Sequence, residues 1–197
     1  MVWVSMVVLE QMRILVTGGA AKIRYDILGT NDNSVDRTAK IVRDLARTHP
    51  AVRCVSSDPP NGFGFAVRRG LADFQGDAVA IYMADGSDAS GDLVAFYHKP
   101  REGYDCVFGS RFSRGGRVVD YPAVKLVLNR LGNRFIQLLF RISCDDISNA
   151  FKMYRRTAIA GIQPLLAQHF NVMVEHFCGA TAMLLCLIPG SIENKGY

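Results

Sequence analysis

Four apolar runs punctuate the first part of the chain: "YDILGT" from Tyr25, "VRCVSS" from Val52, "AVAIYMA" from Ala78 and "DCVFGSR" from Asp105. Most of their positions are apolar without alternation, the pattern of strands covered on both faces. Leu28, Val55, Ile81 and Val107 stand 27, 26 and 26 residues apart, with helical periodicity between them. That is the spacing of strand, crossover helix, strand, and it predicts a parallel α/β sheet. In "VDRTAKIVRDLARTH" an apolar stripe of Ala39, Val42, Leu45 and Ala46 predicts a helix, with Ser34 as its expected cap. Asn61 and Gly62 open the next one.

Beyond Asp120 the pattern changes. In "YPAVKLVLNRLGNRFIQLLFRIS" residues 124, 127, 128, 131, 135, 138, 139 and 142 are apolar, while Lys125, Asn129, Arg130, Asn133, Arg134, Gln137 and Arg141 fill the other face. One long helix is predicted. Its broad apolar face with basic flanks suits an anionic membrane surface; the alternative is a helix packed on its own domain with the basic face in water. "DDISNAFKMYRR" reads as a polar loop, a short apolar run and a basic pair. A helix from about Gln168 to Ala182 and a last strand at Leu184 to Ile188 complete the 197 residues, and no linker divides them. One domain is expected.

Composition narrows the class. A hydrophobic share of 49% with 21% charged residues excludes disorder. The net charge of +5 favours anionic partners such as nucleotides, phosphates or acidic lipids, and is too mild to indicate nucleic acid. The cysteines at 54, 106, 144, 178 and 186 form no C-x-x-C pair, and three lie in apolar surroundings, as free thiols in a reducing compartment do. A cytoplasmic protein is therefore expected. "MVWVSMVVLEQM" has neither a basic leader nor a clear cleavage site, so no signal peptide is expected. "FCGATAMLLCLIPG" falls short of the roughly 20 residues that a spanning helix needs.

Candidate chemistry concentrates where "AVAIYMADGSD" ends in Asp85 and Asp88. Ligands bind beyond the carboxyl ends of strands in open parallel sheets, although the same residues also suit a turn with a helix cap. Elsewhere the signals are bland. His169 and His176 stand seven apart with Glu175 adjacent, which is not the H-E-x-x-H zinc spacing, and "VTGGAA" lacks the G-x-G-x-x-G of dinucleotide folds.

In chain order, "DILGTNDNSVDRT", "NGFGFAVRRG", "YMADGSD", "DCVFGSRFSRGG" and "DISNAFKMYRR" resemble the family 2 glycosyltransferases. Among these the likeness is to polyprenyl-phosphate sugar transferases of the dolichol-phosphate mannosyltransferase type, over about Tyr25 to Arg156. The resemblance implies a GT-A, Rossmann-like α/β fold with a mostly parallel central sheet flanked by helices. It places a nucleotide-sugar-binding half at about 1–112 and an acceptor, membrane-facing half at about 113–197. It further implies inverting transfer of a mannose- or glucose-type sugar from a GDP- or UDP-linked donor to a polyprenyl or dolichyl phosphate, at the cytoplasmic membrane face.

By the same resemblance, Asp85 is the second aspartate of an Asp-x-Asp motif that holds Mg²⁺ or Mn²⁺ against the donor diphosphate, as hard cations prefer oxygen ligands. Met83 stands where the first would be, and a thioether is a poor ligand for such a metal, so Ser87 and Asp88 are expected to complete the set. Asp32 matches the nucleoside-contacting aspartate, with Asn31 replacing the residue before it. Asn61, Gly62 and Gly64 are expected to bring backbone close to the donor phosphates. Arg111 is expected to grip a diphosphate or lipid phosphate with two parallel hydrogen bonds. Arg155 and Arg156 match the family's closing arginine pair without an assigned task.

A phosphate monoester is already anionic at neutral pH and needs no strong base, which fits the want of a further matched carboxylate later in the chain. The N-terminus departs from the family, offering Glu10 in place of a Pro-x-Tyr-Asn-Glu segment. Either the first strand survives with altered pocket chemistry or the pocket is incomplete. The second case implies a degenerate, non-catalytic nucleotide-binding or scaffolding subunit. A homo-oligomer is compatible with either.

Overall fold

The computed structural model describes residues 4–7, 24–83, 88–89, 91–169, 171–180 and 183–193. The four apolar runs form β2 (Tyr25–Asn31), β3 (Val52–Ser56), β4 (Ala78–Ile81) and β5 (Cys106–Ser110). Together with β1 (Val4–Val7), β7 (Lys152–Arg155) and β8 (Leu185–Pro189) they make a seven-stranded sheet of order β3-β2-β1-β4-β7-β5-β8. β6 (Arg117–Val119) and β9 (Ser191–Glu193) form a separate parallel pair. The mostly parallel sheet expected from the 26-residue spacing is present, with β7 running antiparallel between β4 and β5. A boundary near residue 112 therefore does not divide the sheet, because β7 returns from the second half of the chain into the first.

Among the described residues the helices are α1 (Thr38–Thr48), α2 (Phe63–Asp73), α3 (Asp92–Arg101), α4 (Ala123–Phe140), α5 (Arg156–Gly161) and α6 (Val172–Ala180). Alternate residues of β4 feed two cores. Val79 and Ile81 pack with Val67 and Leu71 of α2 and with Met173 and Phe177 of α6. Ala78, Ala80 and Tyr82 pack with Leu93 and Phe96 of α3, and Leu45 of α1 lies against the same cluster. Phe151 stacks on Phe96 with centroids 4.1 Å apart and meets Tyr82 edge-on at 5.7 Å. Burial of such a ring stabilises by about 1.5–3 kcal/mol and holds the end of β4 against the loop before β7.

Two expectations about helix ends are corrected. Ser34 does not cap α1: the helix starts four residues later, and Asp36 Oδ1 accepts the Thr38 amide at 2.9 Å. α6 starts at Val172 rather than near Gln168, since 163–168 form no regular element, and residues 181–182 lie outside the described residues. The arginine pair acquires a structural task at the edge opposite the carboxyl ends of β2 and β4. Arg156 donates from Nε and Nη2 to Gly76 O at 3.0 and 2.7 Å and covers the Phe74 ring, while Arg155 Nη2 donates to Pro100 O.

Candidate active site at the carboxyl edge of the sheet

Parallel register brings the carboxyl ends of β2 and β4 to one edge, through Val7 of β1 between Leu28 and Ile81. On the β2 side, Asp32 Oδ2 accepts the Gly62 amide at 2.7 Å. Its other oxygen, Oδ1, is buried with no hydrogen-bond partner among the described residues. An acceptor left that way costs about 1–3 kcal/mol, and an N–H of a nucleobase edge would satisfy it. Asn31 Oδ1 turns back to the Ser34 amide at 3.3 Å, and Asn61 Oδ1 accepts from Asn33 Nδ2 at 2.7 Å.

The Gly62 and Gly64 amides both have acceptors within the protein. Gly64 N donates to Gln168 O at 3.0 Å, and Gly62 N is held by Asp32. Their want of side chains has a packing cause. A Cβ on Gly64 would stand 2.4 Å from Ala167 O, and one on Gly62 would stand 2.7 Å from Gln168 O, at a backbone with φ of +152°. The segment before α6 thus occupies the space these glycines leave open.

On the β4 side, Asp85 and Ser87 lie outside the described residues, as does Glu10. Met83 packs against the core shared with Ile81 and α2, as a thioether should, and offers nothing to a metal. Asp88 is 4% exposed, bridges to Ile192 of β9, and accepts a hydrogen bond at its carbonyl from the Tyr82 hydroxyl. Among the described residues no three His, Cys, Asp or Glu side chains gather as metal ligands.

Arg111 turns its guanidinium fork to a carboxylate of its own chain. Its backbone N and Nε donate to Asp146 Oδ2 at 2.9 and 2.6 Å, and Nη2 donates to Asp146 Oδ1 at 2.5 Å. Burial alone would lower the Arg111 pKa, but the Asp146 bonds and charge, with a smaller contribution from Asp88, raise it overall. Asp146 opens a loop that is bonded on every side. Ser148 exchanges two hydrogen bonds of 3.1 Å with the Asn133 amide of α4, and Asn149 Nδ2 donates to Gly109 O at 2.9 Å. Asp145 Oδ1 accepts the Ser110 hydroxyl at 2.5 Å. Asp146, Ser148 and Asn133 were not singled out from the sequence; the signal was a polar "DDISN" placed two residues before the largely buried β7.

α4 settles the orientation of the long helix. Asn133 is its buried residue, whereas Leu131 is 62% and Leu138 is 69% exposed, with Val124, Val127, Leu128, Phe135 and Leu139 beside them. The alternative in which its apolar face packs on the domain is overturned. Arg130 and Arg134 border this face and line, with Phe112 and Asp145, a cavity of about 390 Å³. Arg130 stacks 4.7 Å above the Phe112 ring. No helix among the described residues is long and apolar enough to cross a membrane.

Comparison with known proteins agrees with this architecture. The family profile for glycosyl transferase family 2 matches residues 8–162. Polyprenol monophosphomannose synthase of Mycolicibacterium smegmatis is 31% identical over 141 residues, 69% of this chain and 53% of that protein. Dolichol-phosphate mannosyltransferase of Pyrococcus furiosus is 24% identical over 170 residues, 85% of this chain and 47% of that protein. The chain thus spans about half the length of these relatives. In structure it resembles M. tuberculosis glucosyl-3-phosphoglycerate synthase at a TM-score of 0.69 and 15% identity, covering 98% of this chain and 73% of that one. The same synthase has been crystallised with Mn²⁺, UDP-glucose and phosphoglyceric acid, in a structure similar at a TM-score of 0.64, 15% identity and 98% and 71% coverage. The fold is therefore GT-A-like and Rossmann-like, and the chain belongs to glycosyl transferase family 2.

Proposed function

We propose that this chain transfers a mannose- or glucose-type sugar, with inversion, from a GDP- or UDP-linked donor to a polyprenyl phosphate at the cytoplasmic face of a membrane. The observation that carries the lipid acceptor is α4, whose outward apolar face is bordered by Arg130 and Arg134 and is joined through Asn133 to the loop that holds Arg111. An apolar arc with cationic flanks suits a surface where an isoprenoid chain lies in hydrocarbon and its phosphate lies in the headgroup region.

Each described residue then has a task. Asp32 presents Oδ1 to the nucleobase while Oδ2 fixes the start of α2. Asp146 neutralises Arg111 and fixes the loop, while Arg130 and Arg134 beside the cavity offer cationic groups to the incoming phosphate. Asp85, with Ser87 and Asp88, would hold a divalent cation, which when bound neutralises the diphosphate leaving group. The acceptor phosphate is its own nucleophile, so no general base is required. The experiment is to incubate the purified chain with Mn²⁺, polyprenyl phosphate in detergent, and GDP-mannose or UDP-glucose. A glycosyl-phosphoryl polyprenol in the mass spectrum is the expected product, and its absence with both donors overturns the reading.

Met83, packed into the core in place of a ligand, favours a second reading: a subunit that binds nucleotide without turnover. That reading predicts saturable GDP or UDP binding with no sugar transferred.

A further inference from the structure

Lys152 of β7 is wholly buried, yet it ends in a charge. Its Nζ donates to Ile147 O at 2.9 Å and to Met173 O at 2.6 Å, and sits 4.8 Å over the Phe108 ring. A methionine or leucine would fill the space with no ammonium to desolvate, and burial does lower the Lys152 pKa, to about 7. What the ammonium adds is a pair of directed bonds to two separate segments.

One bond reaches the acceptor side. Ile147 lies between Asp146, which fixes Arg111, and Ser148, which fixes Asn133 of α4. The other reaches the donor side. Met173 is in the first turn of α6, and two residues on, Glu175 accepts the Leu166 and Ala167 amides at 2.7 and 2.8 Å. These bonds set the segment whose Gln168 O receives Gly64 N and which fills the space beside Gly62. Gly62 in turn holds Asp32.

We infer that Lys152 is a positioning residue that ties the Asp146–Asn149 loop of the acceptor side to the Asp32–Gly62 turn of the donor side, acting through α6 and Glu175. The inference rests on the proposed function for what the two sides bind. Lys152 itself touches neither substrate. The bonds form one continuous path, so a change at either end of it should be felt at the nucleotide.

The test is calorimetric titration of the full chain with UDP and then GDP, in Mn²⁺, for the wild type, Lys152→Met, Glu175→Gln and the double variant. Each single change is expected to weaken the nucleotide that binds by about 3- to 30-fold, the range of couplings carried through such networks. The double variant is expected to be no weaker than the worse single, since both cut one path. Lost packing alone would lower the melting temperature and give independent, multiplying losses. Single variants within twofold of wild type, or a double loss equal to the product of the singles, overturns the inference. Should Lys152→Met not fold, Glu175→Gln decides alone by the same twofold threshold. A wild-type chain that binds neither nucleotide overturns the proposed function and this inference together, whereas intact binding with unaffected variants overturns this inference only.

Discussion

Arg111 and Asp146 meet as a fork, with Nε 2.6 Å from Oδ2 and Nη2 2.5 Å from Oδ1, and both side chains are shut away from water. A buried pair of this kind stabilises little against an apolar pair of equal volume, but losing one member strands the other's charge. Asp146→Ala is therefore expected to cost about 3–5 kcal/mol in urea unfolding. The double change Arg111→Met with Asp146→Leu is expected to cost less than Asp146→Ala alone. Losses that simply add would contradict the pairing.

Gly64 is held by the backbone of Ala167 and Gln168 and has no room for a Cβ. Gly64→Ala should destabilise by roughly 1–3 kcal/mol, as overpacking of a fixed site does, and should weaken nucleotide binding as the turn shifts. An unchanged melting temperature would show that the segment before α6 gives way freely.

The His176 ring is fully buried, packs edge-on to Tyr154 at 5.3 Å, and has no hydrogen-bond partner at either nitrogen among the described residues. Burial, with the Lys152 charge pushing the same way, drops its pKa from 6.5 to about 3. Between those values the unfolded chain carries the extra proton, so this residue removes stability as the pH falls below about 6.5, by up to about 1.4 kcal/mol per unit. His176→Phe keeps the ring and removes the titration. Its stability relative to wild type should improve by about 2 kcal/mol on going from pH 7.5 to pH 5, read from urea curves at the two pH values. An equal difference at both would contradict the assignment.

Leu131 and Leu138 face outward on α4. Changing both to Ser should leave unfolding within about 0.5 kcal/mol of wild type, since neither is packed. Sedimentation with vesicles of anionic lipid should fall at least tenfold per leucine, from the roughly 1.5–3 kcal/mol that burial of such a side chain contributes. Unchanged sedimentation would remove the membrane from the account.

The strands were legible because a strand covered on both faces has to be apolar throughout, and Leu28, Val79, Ile81 and Val107 are indeed wholly or almost wholly buried. The direction of β7 was not legible, since the 26-residue spacing speaks only to crossover connections and "KMYR" carries no mark of orientation. α4 was found by its period, but a period says that one face is apolar and not which way it turns. The protein partners of Arg111 and the glycines were not legible for a shared reason: residue types suited to phosphate are also suited to a buried carboxylate or a close backbone. Asp146 and Gln168, the partners that decide between these uses, lie 35 and 104 residues further along the chain from Arg111 and Gly64. Lys152 was hidden in the same way, a lone cation in an apolar run whose carbonyl partners only the fold brings near.

The most direct test of the central claim is the rate of sugar transfer to polyprenyl phosphate in Mn²⁺ by the wild-type chain and by Asp85→Asn. The account predicts a lipid-linked sugar from the wild type and a loss of at least 100-fold in the variant, about 2.7 kcal/mol of transition-state stabilisation. Equal rates in the two proteins would contradict it.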